Sequence, residues 1–269
     1  GVGQYLQRLA GRLSLLGLPS PGVVTSGGGM SDAADAARAA SSLALSGPAG
    51  GVAGAALIAR LAGFDRALSI DIGGTSADVG LILDGEPLVE SGGMVAGVPI
   101  ALPRVLVETV SAGGGSIGWL DEGGALRAGP RSAGAVPGPV AFGRGGTQPT
   151  ITDAHVALGN IGAGHISDAV RVDAPAATAA VAALAARLGV TVERTAEAMI
   201  AAADAAMARA LRRVSVERGI DPRGCVLVAF GGGGPLHACG LAARLGMPRV
   251  LVPPHAGVLS ALGLAMAPE

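Results

Sequence analysis

The chain contains no lysine: all 19 of its basic residues are arginine. That absence excludes a Walker-type phosphate loop, whose lysine reaches the β- and γ-phosphates, and any Schiff-base lysine. Aromatic side chains are nearly as scarce. Tyr5, Phe64, Trp119, Phe142 and Phe230 are all there are in 269 residues, too few to serve as stacking platforms for nucleic-acid bases. The formal charge is −1 and no basic run interrupts it, which argues against a nucleic-acid surface. Two cysteines, Cys225 and Cys239, make neither a disulfide framework nor a zinc set, so both are expected to be small buried hydrophobes in a reducing cytoplasm. Charge of either sign is thin, at 14% of residues, and the mean hydropathy is +0.54. Residues 41–59, 224–243 and 250–268 carry no charge at all. Each is interrupted by Gly or Pro and consists largely of Ala and Gly, whereas a spanning helix needs about 20 mostly apolar residues. No membrane span is expected.

Glycine is abundant instead, with 46 Gly and 17 Pro gathered in short islands between apolar runs. Such islands are the mark of tight loops on a folded scaffold. The length allows one large domain or two smaller ones; residues 1–269 are read here as a single core. Within it stand a hairpin region at 66–91, a Gly-rich irregular lobe at 92–150 and a strand–turn–helix region at 220–269. Helices are predicted at 5–16, from Asp32, at 52–61 behind a Gly-Pro break, and at 153–158 behind Thr152 as cap. Others are predicted at 174–188, from Thr191 to Arg218 with arginines in its last turns and Gly219 beyond, at 235–245 and at 257–266. Strands are predicted at 67–71, 79–83, 226–230 and 250–252, and Asp84-Gly85 between apolar runs signals a hairpin turn. No internal repeat is visible, and the mixture is α/β.

The strongest motif is Asp71-Ile72-Gly73-Gly74-Thr75-Ser76-Ala77-Asp78. A strand ends in a carboxylate, and two glycines then let backbone N–H groups converge in a nest that binds phosphate oxygens without a cation. Thr75 and Ser76 add hydroxyls, while Asp71 and Asp78 are spaced to hold Mg²⁺ or its waters, or to orient a nucleophile. The same residues would also make an ordinary tight hairpin, since all are turn formers. The second motif runs from strand 226–230 through Gly231, Gly232, Gly233 and Gly234 to Pro235 at a helix start, with His237 on its first turn. That arrangement points N–H groups and the positive end of the dipole at a ligand. Two defects argue against a dinucleotide fingerprint, the rival reading: Leu236 stands where the third glycine belongs, and no acidic residue follows about 20 positions on. His237 is open to two readings, a ribose or phosphate contact or a satisfied structural residue. His155, His165 and His255 have no metal-ligand spacing, and Asp153 is expected to share helix capping with Thr152. None of Ser46, Ser111 and Ser116 sits in a G-x-S-x-G elbow.

Taken together the motifs resemble the hydantoinase A / 5-oxoprolinase family, whose relatives include acetone-type carboxylase subunits. The pieces, in order, are Leu45-Ser46-Gly47-Pro48-Ala49-Gly50-Gly51-Val52, the run from Asp71 to Val79, and Ser111-Ala112-Gly113-Gly114-Gly115-Ser116-Ile117. Then come Ser132-Ala133-Gly134-Ala135-Val136-Pro137-Gly138-Pro139, Pro149-Thr150-Ile151-Thr152-Asp153-Ala154, Asp221-Pro222-Arg223 and 230–238. The resemblance implies an actin/hexokinase-like ATPase (ribonuclease H-like) fold, here incomplete, with mixed sheets flanked by helices. It implies ATP and Mg²⁺ as cofactors. Gly73, Gly74, Thr75 and Ser76 would hold phosphates as a second phosphate loop, Asp71 and Asp78 would be catalytic, and Asp71 would hold the metal. Gly231, Gly232, Gly233, Gly234, Pro235 and His237 would form the adenosine side, and helices 52–61 and 257–266 would cross between lobes.

The implied activity is ATP-dependent hydrolysis of a hydantoin or 5-oxoproline-like lactam through phosphorylation of the ring carbonyl. A ketone carboxylase subunit and a non-catalytic nucleotide-binding or assembly module are the alternatives. A hydantoinase B-type partner subunit or domain and an oligomeric state are implied as well. Three positions depart from the family's pattern: Ala77 stands in place of Thr, Gly233 in place of Ala, and His155 in place of Asn. The family's first phosphate loop, a glycine-threonine-aspartate motif, is absent, so the sequence is expected to be the middle of a longer subunit and inactive alone.

Overall fold

The computed structural model describes residues 1–95, 97–167 and 170–267. The chain opens with helix α1 (Val2–Leu15) and a small antiparallel pair, β1 (Gly22–Val24) and β2 (Met30–Asp32). Asp32 caps α2 (Ala33–Arg38) as expected, its carboxylate accepting from the N–H groups of Ala34 and Asp35 at 2.8 Å each. Helix α3 (Ser46–Leu61) begins six residues before the predicted start at Val52. The Gly-Pro segment read as a break is its first turns instead. Pro48 falls where a backbone N–H has no helical partner anyway, so nothing is lost by placing proline there.

The centre of the molecule is a mixed sheet. Strand β3 (Ala67–Ile72) pairs antiparallel with β4 (Ala77–Leu83), and the Asp84-Gly85 turn, both residues at positive φ, leads to β5 (Glu86–Pro87). Residues 92–132, expected to hold few regular elements, carry five strands among the described residues, and 133–150 are irregular as expected. A hairpin of β6 (Val89–Val95) and β7 (Val98–Val105) is followed by β8 (Val107–Val110), which returns to pair with β4. Strands β9 (Ser116–Leu120) and β10 (Leu126–Ser132) form a further hairpin. Sequence reading missed these strands because their glycines and prolines mask the alternation that marks a strand.

Helix α4 (Ile151–Ala157) follows, then a short hairpin of β11 (Gly164–Ser167) and β12 (Val170–Val172). Helices α5 (Ala174–Leu188) and α6 (Val192–Val214) come next, the latter stopping at Val214 with 216–218 as a separate helical turn. The α/β core is completed by β13 (Val226–Phe230), α7 (Gly234–Leu245), β14 (Val250–Leu251) and α8 (Leu259–Ala265). The sheet order is β14-β13-β3-β4-β5, with β8 also on β4; β13 runs parallel to β3, and β14 parallel to β13. This is an α/β core, a mixed sheet flanked by helices, as the sequence leads one to expect.

Alternation sorts the sheet's side chains to two faces. Leu68, Ile70, Ile72, Val79, Leu81 and Leu227 pack with Met199, Met207 and Leu211 of α6 and Leu241 of α7. Ala67, Ile82, Val226, Val228 and Phe230 pack on the other side with Val52 and Ala55 of α3 and Leu259 of α8. Each fully buried Leu, Ile or Phe contributes roughly 1.5–3 kcal/mol. Covering on both sides explains why β13 is apolar at every position. Helices α3 and α8 cross at near-backbone contact: a Cβ on Gly54 would come 2.8 Å from the Leu259 carbonyl, and one on Gly263 would fall on the Gly50 carbonyl. Among the described residues no single helix is long and apolar enough to cross a membrane.

Candidate functional site

The loop between β3 and β4 is closed by the Gly73 N–H donating to the Ser76 carbonyl at 3.0 Å. Its own carbonyls are taken by a second glycine loop at 113–115. Gly114 N–H donates to Gly73 O at 3.0 Å, and Gly115 N–H to Gly74 O at 2.6 Å. The approach is close enough that a Cβ on Gly113 would lie 2.7 Å from Gly73 O, so glycine is required there by packing. Ser116 Oγ accepts from Gly113 N–H at 2.9 Å and fixes the bend from inside. Thr152 holds the far side of that loop, both its N–H and its hydroxyl donating to Gly114 O.

Thr152 is therefore not the cap of α4. Thr150 caps it, its Oγ1 accepting from Asp153 N–H. Asp153 completes a capping box and does more: fully buried, its carboxylate accepts from Thr150 N–H (2.8 Å), the Thr150 hydroxyl (2.8 Å), Ala141 N–H (2.7 Å) and Val140 N–H (3.2 Å). Residues 140–141 are pinned to α4 by this one side chain.

A third glycine segment approaches from β13. Gly231 has φ +76° and a Cβ there would strike Asp71 Oδ1 and the Ile72 backbone, so no side chain can stand at that position. Gly233 N–H donates to Ile72 O at 2.9 Å, and Gly231 N–H to Ala256 O at 2.9 Å. At Gly233 a Cβ would lie 2.9 Å from Ile72 Cγ2.

Asp71 and Asp78 are register partners across the hairpin, and Thr109 is the partner of Asp78 on β8. Asp71 Oδ2 accepts from the Ser260 hydroxyl at 3.0 Å, and Asp78 Oδ1 from the Thr109 hydroxyl at 2.5 Å. Burial pushes Asp71 above the ordinary carboxylate range; the Ser260 hydrogen bond works against this, and the charge of Asp78 adds to it. Burial likewise raises Asp78, opposed by Thr109.

These elements surround a cavity of about 570 Å³, inside the range of small-molecule sites. Gly73, Gly74, Thr75, Gly114 and Gly115 line one part, Gly232, Gly233, Leu236 and His237 another, and Gly134, Ala135, Pro139, Phe142, Arg144, Ile161 and Val170 a third. Ile151, Thr152 and His155 lie between. Of the residues singled out from sequence, Gly73, Gly74, Thr75, Gly232, Gly233 and His237 are brought together on this cavity. Asp71, Asp78, Ser76, Gly231, Gly234 and Pro235 lie outside its lining: Gly231 packs under Asp71, Gly234 is buried in the first turn of α7, and Pro235 faces solvent.

His237 and His155 meet here although 82 residues separate them, with ring centroids 4.9 Å apart and planes at 87°. His237 Nδ1 lies 2.6 Å from Asp204 Oδ1, and His155 Nδ1 lies 3.1 Å from Asn160 Nδ2. His155, His237 and Asp204 are all buried. Burial pushes His155 down to about 4, and the neighbouring His237 adds to this. Asp204 and Asn160 escaped the sequence reading. The signal that could have found Asp204 is an acid inside the apolar stripe of α6, between Met199, Ala203, Met207 and Leu211. His255 is exposed at φ +56°, and the side chain of His165 lies outside the described residues. Among the described residues no three of His, Cys, Asp and Glu gather to hold a metal. Cys225 is buried as expected; Cys239 is exposed on α7, contrary to expectation, because it falls on that helix's outer face.

A family model described as Hydantoinase/oxoprolinase matches residues 5–268. The uncharacterized protein MJ0964 of Methanocaldococcus jannaschii is 42% identical over 91% of this chain and 38% of its own length. Caprolactamase subunit alpha of Pseudomonas jessenii is 38% identical over 97% of this chain and 38% of its own. The solved structure of the ATP-dependent caprolactamase from that organism superposes with a TM-score of 0.85 at 36% identity, covering 98% of this chain and 39% of that one. A nucleotide-free acetone carboxylase structure gives 0.86 at 33% identity, over 98% of this chain and 38% of that chain. The chain thus spans under two-fifths of the length of these relatives.

Proposed function

This chain belongs to the hydantoinase/oxoprolinase family, and on that premise we propose that it is the ATP-binding core of an ATP-dependent cyclic-amide hydrolase. The observation that carries the reading is the convergence of the loops at 73–75 and 114–115 and the turn at 232–233 on one cavity. The N–H groups of Gly73, Gly114, Gly115 and Gly233 are spent on backbone carbonyls; those of Gly74, Thr75 and Gly232, and the space that the glycines leave, remain for a polyphosphate. The apolar remainder, Phe142, Ile161, Val170 and Leu236, suits the flat base of the same nucleotide.

The chemistry follows from the weakness of an amide carbon as an electrophile. The lactam carbonyl oxygen attacks the γ-phosphorus of ATP and ADP leaves. Water then adds to the activated ring carbon, the ring C–N bond breaks with the nitrogen taking up a proton, and the phosphate is released by hydrolysis. Thr75 offers its hydroxyl to the phosphates and Gly73 and Gly74 give them room, while Ser76, outside the lining, closes the loop through its carbonyl. Asp71 and Asp78 fit a hard divalent cation: two opposed carboxylates, both pushed up by burial, are relieved by positive charge. Mg²⁺ usually takes one or two carboxylates and completes its shell with phosphate oxygens and water. When bound there it would supply neutralisation of charge on the transferring phosphoryl group.

A substrate of the lactam class is favoured by the relative named caprolactamase. A second reading, a ketone carboxylase subunit, is favoured by the equally close superposition on acetone carboxylase. The two part on bicarbonate. In the native subunit with its partner, ATP turnover stimulated by lactams and indifferent to bicarbonate supports the hydrolase, and bicarbonate-dependent turnover with ketones supports the carboxylase. Calorimetry of Mg-ATP with this chain and with Asp71→Ala comes first. Binding lost in the variant supports the nucleotide site, and tight binding without turnover in the native subunit would mark a non-catalytic module.

A further inference from the structure

Both ring nitrogens of His237 are engaged, and the chain of contacts runs in one direction. A carboxylate oxygen accepts only, and an amide nitrogen donates only. At one end Asp204 Oδ1, 2.6 Å away, therefore fixes the proton of His237 on Nδ1. At the other end Asn160 Nδ2, 3.1 Å away, makes His155 Nδ1 an acceptor and leaves its proton on Nε2. The two Nε2 atoms face each other at 3.4 Å, and this assignment makes His155 the donor and His237 the acceptor. Every group is satisfied with both imidazoles neutral. The burial that keeps His155 uncharged agrees with it.

Asp204 belongs to α6 and lies outside the cavity lining, whereas His155 and His237 are part of it. Its carboxylate is accommodated because Gly240 on α7 has no side chain: a Cβ there would lie 2.6 Å from Asp204 Oδ2. His237 stands one turn from the glycine segment on α7, and His155 stands on α4, across from it. We propose that Asp204 is a positioning residue of the cavity, orienting His237 and through it His155, and so setting the spacing between the α7 glycine turn and α4. The proposal rests on the nucleotide reading above. With all four ring nitrogens occupied in the chain, the two imidazoles offer a ligand C–H edges and ring faces rather than hydrogen bonds. His237 then contributes shape to the nucleotide site.

The test is imidazole ¹⁵N NMR together with Mg-ATP calorimetry on the native subunit, as wild type, Asp204→Asn, His155→Ala and the double variant. In the wild type, His155 should be the neutral Nε2–H tautomer and His237 the neutral Nδ1–H tautomer. In Asp204→Asn the amide N–H can face Nδ1, so the His237 proton moves toward Nε2, against the His155 donor. Affinity for Mg-ATP should fall about tenfold, the scale of one hydrogen bond, with the fold retained by circular dichroism. That loss should shrink to within twofold in the His155→Ala background, where no opposing donor remains. A wild-type His237 protonated on Nε2, an Asp204→Asn variant with unchanged spectra and affinity, or an equal loss in both backgrounds overturns the proposal. A wild-type native subunit that binds no nucleotide overturns the functional reading, and with it the role of Asp204 there. Intact wild-type binding with any of the first three outcomes overturns the role of Asp204 alone.

Discussion

Asp71 and Asp78 stand directly opposite one another on neighbouring antiparallel strands, so two half-buried carboxylates share one face of the hairpin. Like charges in that relation destabilise a sheet. Both groups are held above the ordinary carboxylate range in the folded state, so folding takes up protons between the unfolded value of 3.8 and the raised folded value. Their favourable contribution is complete below the unfolded value and is lost as pH rises through the folded one. Asp71→Asn should therefore melt at a higher temperature than wild type at pH 7, and the gain should vanish near pH 3.8. In the native subunit the same change should abolish ATP turnover. Thermal melts across pH check the first statement, and phosphate release the second; a variant less stable at pH 7 would contradict the account.

Gly231→Ala should unfold or cripple the site. The position is at φ +76°, and a Cβ there meets Asp71 Oδ1 and the Ile72 backbone, neither of which can give way without moving β3. Strained backbone alone costs on the order of 1–3 kcal/mol. Urea denaturation measures the loss. Gly233→Ala, whose Cβ would come 2.9 Å from Ile72 Cγ2 and 3.4 Å from the Ile72 carbonyl, should be the milder of the two.

Removing the Asp153 carboxylate orphans buried backbone donors at Ala141 and Thr150 and a half-buried one at Val140. Each unsatisfied buried group costs about 1–3 kcal/mol, so Asp153→Ala should lose several kcal/mol in chemical denaturation. Any folded remainder should bind Mg-ATP weakly, because residues 140–141, next to the cavity-lining Phe142, lose their anchor.

Thr75→Val keeps the volume of a cavity-lining side chain and removes its hydroxyl. Stability should stay within about 0.5 kcal/mol, as for a surface change. Affinity for Mg-ATP should fall by about 2–10-fold, the worth of one neutral hydrogen bond. Titration calorimetry reads this directly, and an unchanged affinity would remove Thr75 from the phosphate loop.

Strands β3, β4 and β13, the Asp84-Gly85 turn and helices α5 and α6 were legible because each is written in contiguous residues. An apolar run, an Asp-Gly pair or a stripe at helical spacing acts over a few positions. The glycine islands at 73–74 and 231–234 announced close backbone approach for the same reason. Their partner was hidden: nothing local says that Gly113 must sit on Gly73, or that the start of α3 lies at Ser46 rather than beyond its glycines. The cap of α4 was misplaced by two residues, since Thr150 and Thr152 are equally good caps until Gly114 claims the second.

By itself the sequence determined the α/β class, the glycine-rich turns and the carboxylates that frame the hairpin, all through local backbone preference and residue chemistry. Tertiary structure alone decided which of these meet. Ser260 reaches Asp71 across 189 residues, and Asp204 reaches His237 across 33. Such contacts form only once the sheet brings α7 and α8 back over β3, because a side chain's partner is set by the closure of the whole core and not by its neighbours in the chain.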